Sequence, residues 1–170
     1  MENKRLDPGL RLIQQAPLQG KVVLLRVDHN VVKKGKIQDP YRIDATIPTL
    51  YAVASRGGRP ILMTHVGRPK DKKKGTITCR EEEAVEPIVH YLKQKLSVQV
   101  RVPSLPTDPE KGILQGDGSV KGAVQELKEG KVDMVYLPNT RWFYGEESKG
   151  AERESLAREW ASLADLYVND

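Results

Sequence analysis

The feature that most constrains the fold is an apolar stretch that stops abruptly at polar residues, Ile61-Leu62-Met63-Thr64-His65-Val66-Gly67-Arg68-Pro69. Its apolar half is long enough for a strand buried on both faces, as the strands of parallel sheets are. Its polar half begins where such a strand would reach the edge of the sheet. In α/β proteins, ligands bind at the edge formed by the carboxyl ends of the strands. The stretch therefore predicts a buried strand that delivers a His, a Gly and an Arg to an anion-binding corner.

Other segments of the chain alternate between strand-like apolar runs and helical periodicity. The predicted strands cover residues 21–27, 60–64, 98–102, 132–137 and 166–168, and the predicted helices cover residues 43–56, 80–96, 120–129 and 151–164. Strands that alternate with helices in this way indicate a parallel sheet joined by right-handed crossovers. We therefore predict an α/β fold, a three-layer, doubly wound parallel sheet (Rossmann-like) with helices on both faces.

Two prolines limit the predicted helices. Pro48 and Pro87 lack the backbone N–H that the interior of a helix needs, and the ring clashes with the preceding turn. We therefore expect Pro48 near the start of the first helix. Pro87 limits where the regular part of the second helix can begin.

Composition restricts the class of protein. A chain of 170 residues that is 38% hydrophobic is long enough for one core, hence for one domain or one lobe of a larger protein. The single cysteine, Cys79, excludes an intramolecular disulfide framework and a multi-cysteine metal site, and is natural in a reducing compartment. Residues 1–20 read as a polar lead-in, with neither a signal-peptide core nor a membrane-spanning stretch. We expect a soluble, cytoplasmic protein.

The charge is divided unevenly between the halves of the chain. Residues 1–80 contain 17 Lys and Arg against 6 Asp and Glu, a net charge of +11, whereas residues 81–170 contain 11 against 17, a net charge of −6. This asymmetry suggests a basic face that meets an anionic partner. A solvated loop at residues 70–74, which holds four lysines, accounts for part of it equally well.

Three predicted strands end in polar residues. These ends are Asp28-His29-Asn30, His65-Val66-Gly67-Arg68 and Asn139-Thr140-Arg141, and Arg42 follows at the entry of a helix. Arginine guanidinium groups match phosphate and carboxylate oxygens in a bidentate fashion, so a small ligand carrying both groups fits this set. A carboxylate repels an anion, so Asp28 is expected either to accept a hydrogen bond from a ligand hydroxyl or to orient a neighbouring arginine.

Taken singly, each of these residues also has a structural explanation. Asp28 and Asn30 are common turn residues, and His65 is compatible with a hydrogen-bonded structural histidine. We assign His29 to that structural class, and we expect Arg26 to pair with a carboxylate on a helix. No His/Cys grouping has zinc spacing, and neither a G-x-G-x-x-G nor a Walker-type phosphate loop occurs in the sequence.

Five motifs together resemble the phosphoglycerate kinase family. They occur in the family's order, and the resemblance runs from about residue 21 to residue 170. The motifs are Arg26-Val27-Asp28-His29-Asn30; Tyr41-Arg42-Ile43 with Pro48; Met63-Thr64-His65-Val66-Gly67-Arg68-Pro69; Asn139-Thr140-Arg141-Trp142 with Gly145-Glu146-Glu147; and Leu163-Ala164-Asp165-Leu166-Tyr167-Val168-Asn169-Asp170.

The resemblance implies that residues 21–170 are the 3-phosphoglycerate-binding N-terminal domain of a two-lobed enzyme, with residues 1–20 as a lead-in. The intact enzyme would move a phosphoryl group between 1,3-bisphosphoglycerate and ADP, in glycolysis and gluconeogenesis. Arg42 is implied to be catalytic, next to the transferring phosphoryl group. The implied substrate-binding residues are Asp28, Asn30, Arg42, His65, Gly67, Arg68 and Arg141.

The resemblance also implies what this chain lacks. Mg-ATP or Mg-ADP is expected on a C-terminal nucleotide-binding lobe beyond Asp170, with no cofactor or metal bound by this chain. The sequence stops inside a predicted strand, so we expect the first part of a longer protein, without kinase activity on its own. Three residues depart from the family's usual pattern: His29 and Trp142 each stand in place of a Phe, and Pro138 in place of a Glu.

Two alternatives remain open at this stage. The chain could be a stand-alone, non-catalytic module that binds sugar phosphates or other small anions in the same crevice. It could also bind nucleic acid through its basic half, although no recognised nucleic-acid motif is present and the basic residues are scattered among apolar strands. We expect a monomer that binds a small-molecule substrate and the C-terminal lobe, and neither nucleic acid nor a membrane.

Overall fold

Five parallel strands form the centre of the computed structural model, which describes residues 11–114 and 118–170. In chain order the strands are β1 (Val22–Arg26), β2 (Val32–Lys33), β3 (Lys36–Ile37), β4 (Arg59–Met63), β5 (Val100–Arg101), β6 (Met134–Tyr136) and β7 (Leu166–Asn169). Strands β2 and β3 form a separate antiparallel hairpin. The helices are α1 (Tyr41–Ala54), α2 (Glu86–Leu96), α3 (Ser119–Lys128) and α4 (Ala151–Ala161), and short 3₁₀ helices cover Ile13–Gln15, Glu81–Glu83, Pro109–Lys111 and Thr140–Trp142.

The order of the strands explains where the helices lie. The sheet runs β5-β6-β4-β1-β7, so the chain first moves from β1 through β4 to β5 and then returns through β6 to β7. Right-handed crossovers place helices on opposite faces when the direction of travel reverses. Helices α1 and α2 therefore cover one face, and α3 and α4 cover the other. This arrangement confirms the predicted three-layer, doubly wound α/β fold.

Alternate side chains of each central strand enter two separate cores. In β1, Val23 and Leu25 pack with α1 and α2, whereas Val22 and Leu24 pack with α3 and α4. Because both faces of the sheet are covered by helices, the side chains from Val22 to Leu25 are buried and apolar on both faces, and only Arg26 at the end of β1 is exposed. The near-continuous apolar run that predicted this strand is a consequence of that double burial.

The first helix differs from the prediction at its proline. Pro48 lies in the middle of α1 rather than near its start, so that expectation was wrong. An interior proline costs about 3 kcal/mol because it removes a helical hydrogen bond and clashes with the preceding turn. Burial of Ile43, Leu50 and Val53 against the sheet offsets this cost and keeps the helix continuous.

The start of the second helix also differs. The predicted helix began near residue 80, but Glu81–Glu83 forms a separate 3₁₀ helix and α2 begins at Glu86, with Pro87 in its first turn. Proline is favoured there because its missing N–H would have no helical partner in any case. The regular helix therefore begins next to Pro87, as the expected limit on its start requires.

The segment before β1 is attached to the rest of the fold. Leu18 is buried in the core on the α1 and α2 face, and the Arg56 guanidinium donates hydrogen bonds to the carbonyl groups of Ile13 and Ala16 at 2.7 and 2.6 Å. Residues 1–10 of the predicted lead-in lie outside the described residues. Within the described part of the chain, none of the helices is both long and apolar enough to cross a membrane.

Candidate active site

Side-chain and backbone hydrogen bonds join the carboxyl ends of β1, β4 and β6. The Thr64 hydroxyl, just after β4, accepts a hydrogen bond from the His29 backbone N–H at 3.1 Å and donates one to the Val27 carbonyl at 2.9 Å. The Thr140 backbone N–H donates to the Thr64 carbonyl at 3.0 Å. The three polar strand ends singled out in the sequence therefore meet at one edge of the sheet.

One side of this edge, which we call the first wall, consists of Asp28, Asn30 and Arg42. The Arg42 guanidinium lies 3.0 Å from the Asp28 carboxylate, and the two side chains are 54% and 59% exposed. The Asp28 carboxylate therefore contacts a neighbouring arginine, and its function in the site stays a prediction. The Asn30 side-chain oxygen accepts a hydrogen bond from the Gly67 N–H at 3.0 Å, and so ties the first wall to the end of β4.

The other side, which we call the second wall, consists of Gly67, Arg141, Glu146 and Glu147. Gly67 has a φ of 63°, a left-handed conformation that disfavours any side chain. A Cβ atom at this position would also lie 2.5 Å from a carboxylate oxygen of Glu83. The left-handed backbone conformation is therefore the main reason for glycine at this corner, and a side chain there would also displace the Glu83 carboxylate.

The second wall contains a carboxylate pair that holds its arginine. The Arg141 guanidinium donates a hydrogen bond to the Gly67 carbonyl, and its Nε lies 3.8 Å from Glu146 and 3.7 Å from Glu147. The Arg141 side chain is only 18% exposed. Burial raises the pKa of the Glu146 carboxyl, and the nearby Arg141 charge partly opposes that rise. Arg141 thus already has protein partners, in contrast to an arginine that faces solvent.

Asn139 fixes the geometry of the second wall, a role that was not predicted for it from the sequence. Its buried side-chain oxygen accepts hydrogen bonds from the N–H groups of Val66 and Arg141 at 2.9 and 3.1 Å. Its amide nitrogen donates to the carbonyl groups of Val66 and Glu83 at 2.8 and 2.9 Å. The sequence signal that could have found it is an amide side chain shortly after a buried strand and two residues before an arginine.

His65 and Arg68 complete the set of predicted site residues. His65 is half-buried, and its pKa is lowered mainly because burial disfavours the charged imidazole and secondarily because Arg141 is near. Arg68 is exposed and forms no hydrogen bond or ion pair with the described residues. The structure therefore brings Asp28, Asn30, Arg42, Gly67 and Arg141 into two connected walls, with His65 near both. Arg68 directly follows Gly67 of the second wall, and its side chain is exposed.

Two residues beside these walls have structural contacts. His29 is buried, with Nδ1 2.8 Å from the Tyr136 hydroxyl and Nε2 3.0 Å from the Thr46 hydroxyl, which confirms the structural assignment. Burial lowers the pKa of His29 to about 4, although Asp170 and Asp28 act in the opposite direction. The Arg26 guanidinium donates to the Asn169 side-chain oxygen at 3.2 Å, so the expected carboxylate partner on a helix was wrong.

A cleft of about 290 Å³ adjoins the walls at the ends of β1 and β4. Arg26, His65, Glu146 and Arg153 supply its polar lining, and Trp160 contributes an apolar side. Residues 11–114 and 118–170 contain no group of three or more His, Cys, Asp or Glu side chains placed to hold a metal ion. The polar groups at this edge are the guanidinium, imidazole, amide and carboxylate groups of the two walls and the cleft.

Comparisons with known proteins agree with this geometry. The family model described as phosphoglycerate kinase matches residues 13–170. A phosphoglycerate kinase of Fervidobacterium nodosum is 42% identical over 160 residues, which cover 93% of this chain and 35% of that protein. A phosphoglycerate kinase of a Ruegeria species is 36% identical over 163 residues, covering 95% of this chain and 36% of the relative. The chain thus spans about a third of the length of these curated relatives.

Solved structures give the same result. The structure of phosphoglycerate kinase from Coxiella burnetii superposes with a TM-score of 0.65 at 26% identity, covering 92% of this chain and 34% of that one. The crystal structure of phosphoglycerate kinase from Pyrococcus horikoshii superposes with a TM-score of 0.64 over 92% of this chain and 35% of that one, at 23% identity, and so supports the fold alone. With the family model matching almost the whole chain, these similarities show that the chain belongs to the phosphoglycerate kinase family.

Proposed function

We propose that this chain is the 3-phosphoglycerate-binding lobe of a kinase that moves a phosphoryl group between 1,3-bisphosphoglycerate and ADP in glycolysis and gluconeogenesis. The observation that supports this proposal most is the joining of the two walls at one sheet edge through the hydrogen bond between Asn30 and Gly67. That contact sets the Asp28–Arg42 pair beside the corner held by Arg141. Membership of the phosphoglycerate kinase family supports the same assignment.

The charges of the two walls suit a ligand that carries a phosphate, a carboxylate and a hydroxyl group. Arg68 has no carboxylate partner among the described residues, so it is the guanidinium most available to an incoming anion. Arg42 and Arg141 add bidentate donors once the ligand competes for them. Asp28 accepts a hydrogen bond from the ligand hydroxyl, and Asn30 and Gly67 complete the lining.

Phosphoryl transfer at this site requires no general base. When ATP is consumed, the nucleophile is the substrate carboxylate, which is already ionised at neutral pH because carboxyl groups have pKa values of about 4. Catalysis then depends on alignment and on neutralising the charge that spreads over the transferring group. We assign that neutralisation to Arg42, whose exposed guanidinium lies at the start of α1 and is held only by an exposed ion pair with Asp28.

His65 contributes a hydrogen bond rather than a positive charge. The lowered pKa of its imidazole keeps the ring neutral at pH 7, because burial and the Arg141 charge both disfavour protonation. A neutral imidazole donates through one nitrogen and accepts through the other. His65 therefore orients the ligand, while the arginines supply the charge.

The proposal assigns the magnesium nucleotide to a second lobe. This chain spans about a third of its curated relatives, and its described residues contain no metal-binding cluster. The nucleotide supplies the phosphoryl group and a metal ion that neutralises its charge. Closure of two lobes around the ligands would exclude water from the reaction. We therefore expect no turnover from residues 1–170 alone, and we propose a monomeric lobe in a cytoplasmic enzyme.

The proposal is tested by titrating 3-phosphoglycerate into the chain by calorimetry. We expect weak binding by the wild-type chain, and affinity should fall as salt rises because the contacts are largely ionic. Arg68→Ala should lower the affinity about tenfold, the typical effect of losing a charge-assisted hydrogen bond. Lys93→Ala, which removes an exposed positive charge from α2, is the matched control and should leave affinity unchanged. Equal affinities for Arg68→Ala and wild type would contradict the proposal, as would turnover by the chain alone.

A further inference from the structure

A line of buried polar side chains runs behind the first wall, and none of these side chains belongs to the proposed substrate-binding set. His29 is 0% exposed and lies between Asp28 and Asn30 in the chain. Its imidazole bonds on one side to Tyr136, in the central strand β6, and on the other to Thr46, in α1. The imidazole therefore bridges the sheet and the helix that carries Arg42.

The direction of each hydrogen bond in this line can be deduced from its ends. The Tyr136 side chain is fully buried and His29 is its one hydrogen-bond partner in the described part of the chain, so its O–H must donate to Nδ1. Nε2 then carries the proton and donates to the Thr46 hydroxyl at 3.0 Å. The Thr46 hydroxyl is left to donate to the Arg42 carbonyl, 3.4 Å away. The opposite tautomer would leave the Tyr136 proton without an acceptor in the core.

All donors and acceptors in the line are satisfied in this one arrangement. Such a buried network restricts the geometry of its members more strongly than apolar contact does, because each bond has a preferred length and angle. The line ends at the backbone of Arg42, whose side chain contacts Asp28. The backbone of His29 is fixed as well, through its N–H bond to Thr64.

We propose that His29 is a positioning residue for substrate binding, since its ring holds the first turn of α1, and hence Arg42, at a fixed distance from the Asp28–Asn30 turn. The inference rests on the proposed function and adds a determinant of affinity that touches no substrate. A phenylalanine of similar size would fill the same space but would leave α1 linked to the sheet at this point by packing alone.

The decisive experiment separates positioning from stability with a double variant. His29→Phe leaves the buried Tyr136 hydroxyl without a partner, so it should lower both the melting temperature and the affinity for 3-phosphoglycerate. His29→Phe/Tyr136→Phe removes that unpaired group, and the Thr46 hydroxyl keeps the Arg42 carbonyl as its acceptor. We therefore expect the double variant to regain most of the melting temperature, while its dissociation constant stays raised about fivefold, the effect of about one lost hydrogen bond.

Thr46→Val tests the other end of the line. It removes the hydroxyl that accepts from Nε2 without changing the volume of the side chain much, and it should raise the dissociation constant by a similar factor. Thr107→Val, the same change at an exposed position, is the control and should alter neither the dissociation constant nor the melting temperature. If the double variant and Thr46→Val bind 3-phosphoglycerate as tightly as wild type, His29 is only structural and the inference is overturned.

A spectroscopic measurement tests the line without any ligand. Nitrogen-15 spectra of the wild-type chain should show a protonated Nε2 and an unprotonated Nδ1 for His29 from pH 8 to pH 5. The opposite tautomer, or titration near the ordinary histidine range, would overturn the inference. If the tautomer is as deduced but the wild-type chain does not bind 3-phosphoglycerate, the proposed function fails and the effect on affinity fails with it. If the wild-type chain binds 3-phosphoglycerate and the double variant binds it with the same affinity, the inference about His29 is overturned and the proposed function stands.

Discussion

The two walls of the site each contain an arginine next to carboxylates, but the two arginines lie in opposite environments. In the first wall, Arg42 and Asp28 contact each other at 3.0 Å while more than half of each side chain faces solvent. In the second wall, Arg141 is 18% exposed and is shared among the Gly67 carbonyl, Glu146 and Glu147. The arginine–carboxylate contact is therefore exposed to solvent in the first wall and largely buried in the second wall.

The difference follows from solvation. An exposed ion pair contributes about 0–1 kcal/mol to stability, because water screens it and side-chain entropy opposes it. Arg42 can therefore exchange its contact with Asp28 for a contact with a ligand anion at a low cost in free energy. A buried charge that loses its partner is far more costly, so Arg141 also holds Glu146 and Glu147 in place. We infer that the first wall responds to ligand and the second wall maintains the shape of the corner.

The largest expected effect is on the second wall at Asn139. Asn139→Ala would remove four hydrogen bonds from a buried amide and leave two backbone groups of Val66 unpaired. We expect the free energy of unfolding to fall by about 3 kcal/mol or more, as measured by urea denaturation. Asn30→Ala, which removes one half-exposed bond in the first wall, is the matched control and should cost about 1 kcal/mol. Equal losses for the two variants would contradict the division between the walls.

The next effect concerns the buried histidine behind the first wall. The pKa of His29 is about 4 in the fold against an ordinary value of 6.5, so the unfolded chain takes up a proton first as pH falls. Stability from this group is complete above pH 6.5 and is lost progressively down to the folded pKa, about 4, despite the neighbouring Asp28 and Asp170 charges. The total loss is on the order of 3 kcal/mol. Comparison of urea denaturation at pH 7.5 and pH 4.5 should show a smaller difference in His29→Phe than in wild type. Identical pH dependence in the two would refute the neutral, buried state of His29.

A third measurement compares the arginines directly. Arg141→Ala should lower the free energy of unfolding by about 2 kcal/mol, because two partly buried carboxylates lose their counter-ion. Arg42→Ala should lower it by less than about 0.5 kcal/mol, because its partner remains hydrated. Thermal denaturation of both variants at the same pH and salt gives the comparison. A loss for Arg42→Ala as large as that for Arg141→Ala would show that exposure does not separate the two pairs.

The smallest expected effect is at Asp28. Asp28→Asn keeps a hydrogen-bond acceptor next to Arg42 but removes the charge, so the free energy of unfolding should change by less than about 0.5 kcal/mol. The Arg42 guanidinium then lacks a counter-ion, and the affinity for inorganic phosphate should rise about twofold at low salt. Calorimetry at two salt concentrations measures the change, with Asp133→Asn, an exposed residue before β6 at the opposite edge of the sheet, as the control. Weaker phosphate binding by Asp28→Asn would contradict the ligand-responsive first wall.

The sequence predicted the layers of the fold well because the relevant signals are local. Continuous apolar runs identified doubly covered strands such as β1, and helical periodicity identified all four helices. The errors arose where tertiary packing outweighed local preference. Pro48 is tolerated inside α1 because the helix is held by burial, and the residues before Glu86 form a 3₁₀ helix that no periodicity distinguishes from a helical turn.

The site was predicted less completely, since its contacts join distant parts of the chain. The strand-end rule brought Asp28, Gly67 and Arg141 to one edge, and family resemblance supplied candidate roles. Neither indicated that Arg141 is already engaged by Glu146 and Glu147. Likewise, His29 contacts Tyr136 across 107 positions of sequence, so its partners became apparent only with the strand order.

The strand order has a consequence for synthesis on the ribosome. Strand β1 pairs with β4 on one side and with β7 on the other, and the register aligns Arg26 with Asn169. One edge of the first strand to emerge therefore stays unpaired until nearly all of residues 11–170 has been translated. Exposed strand edges invite association with other chains, and long-range pairing is slow. The nascent chain accordingly exposes this edge of β1 to other chains until β7 has been synthesised.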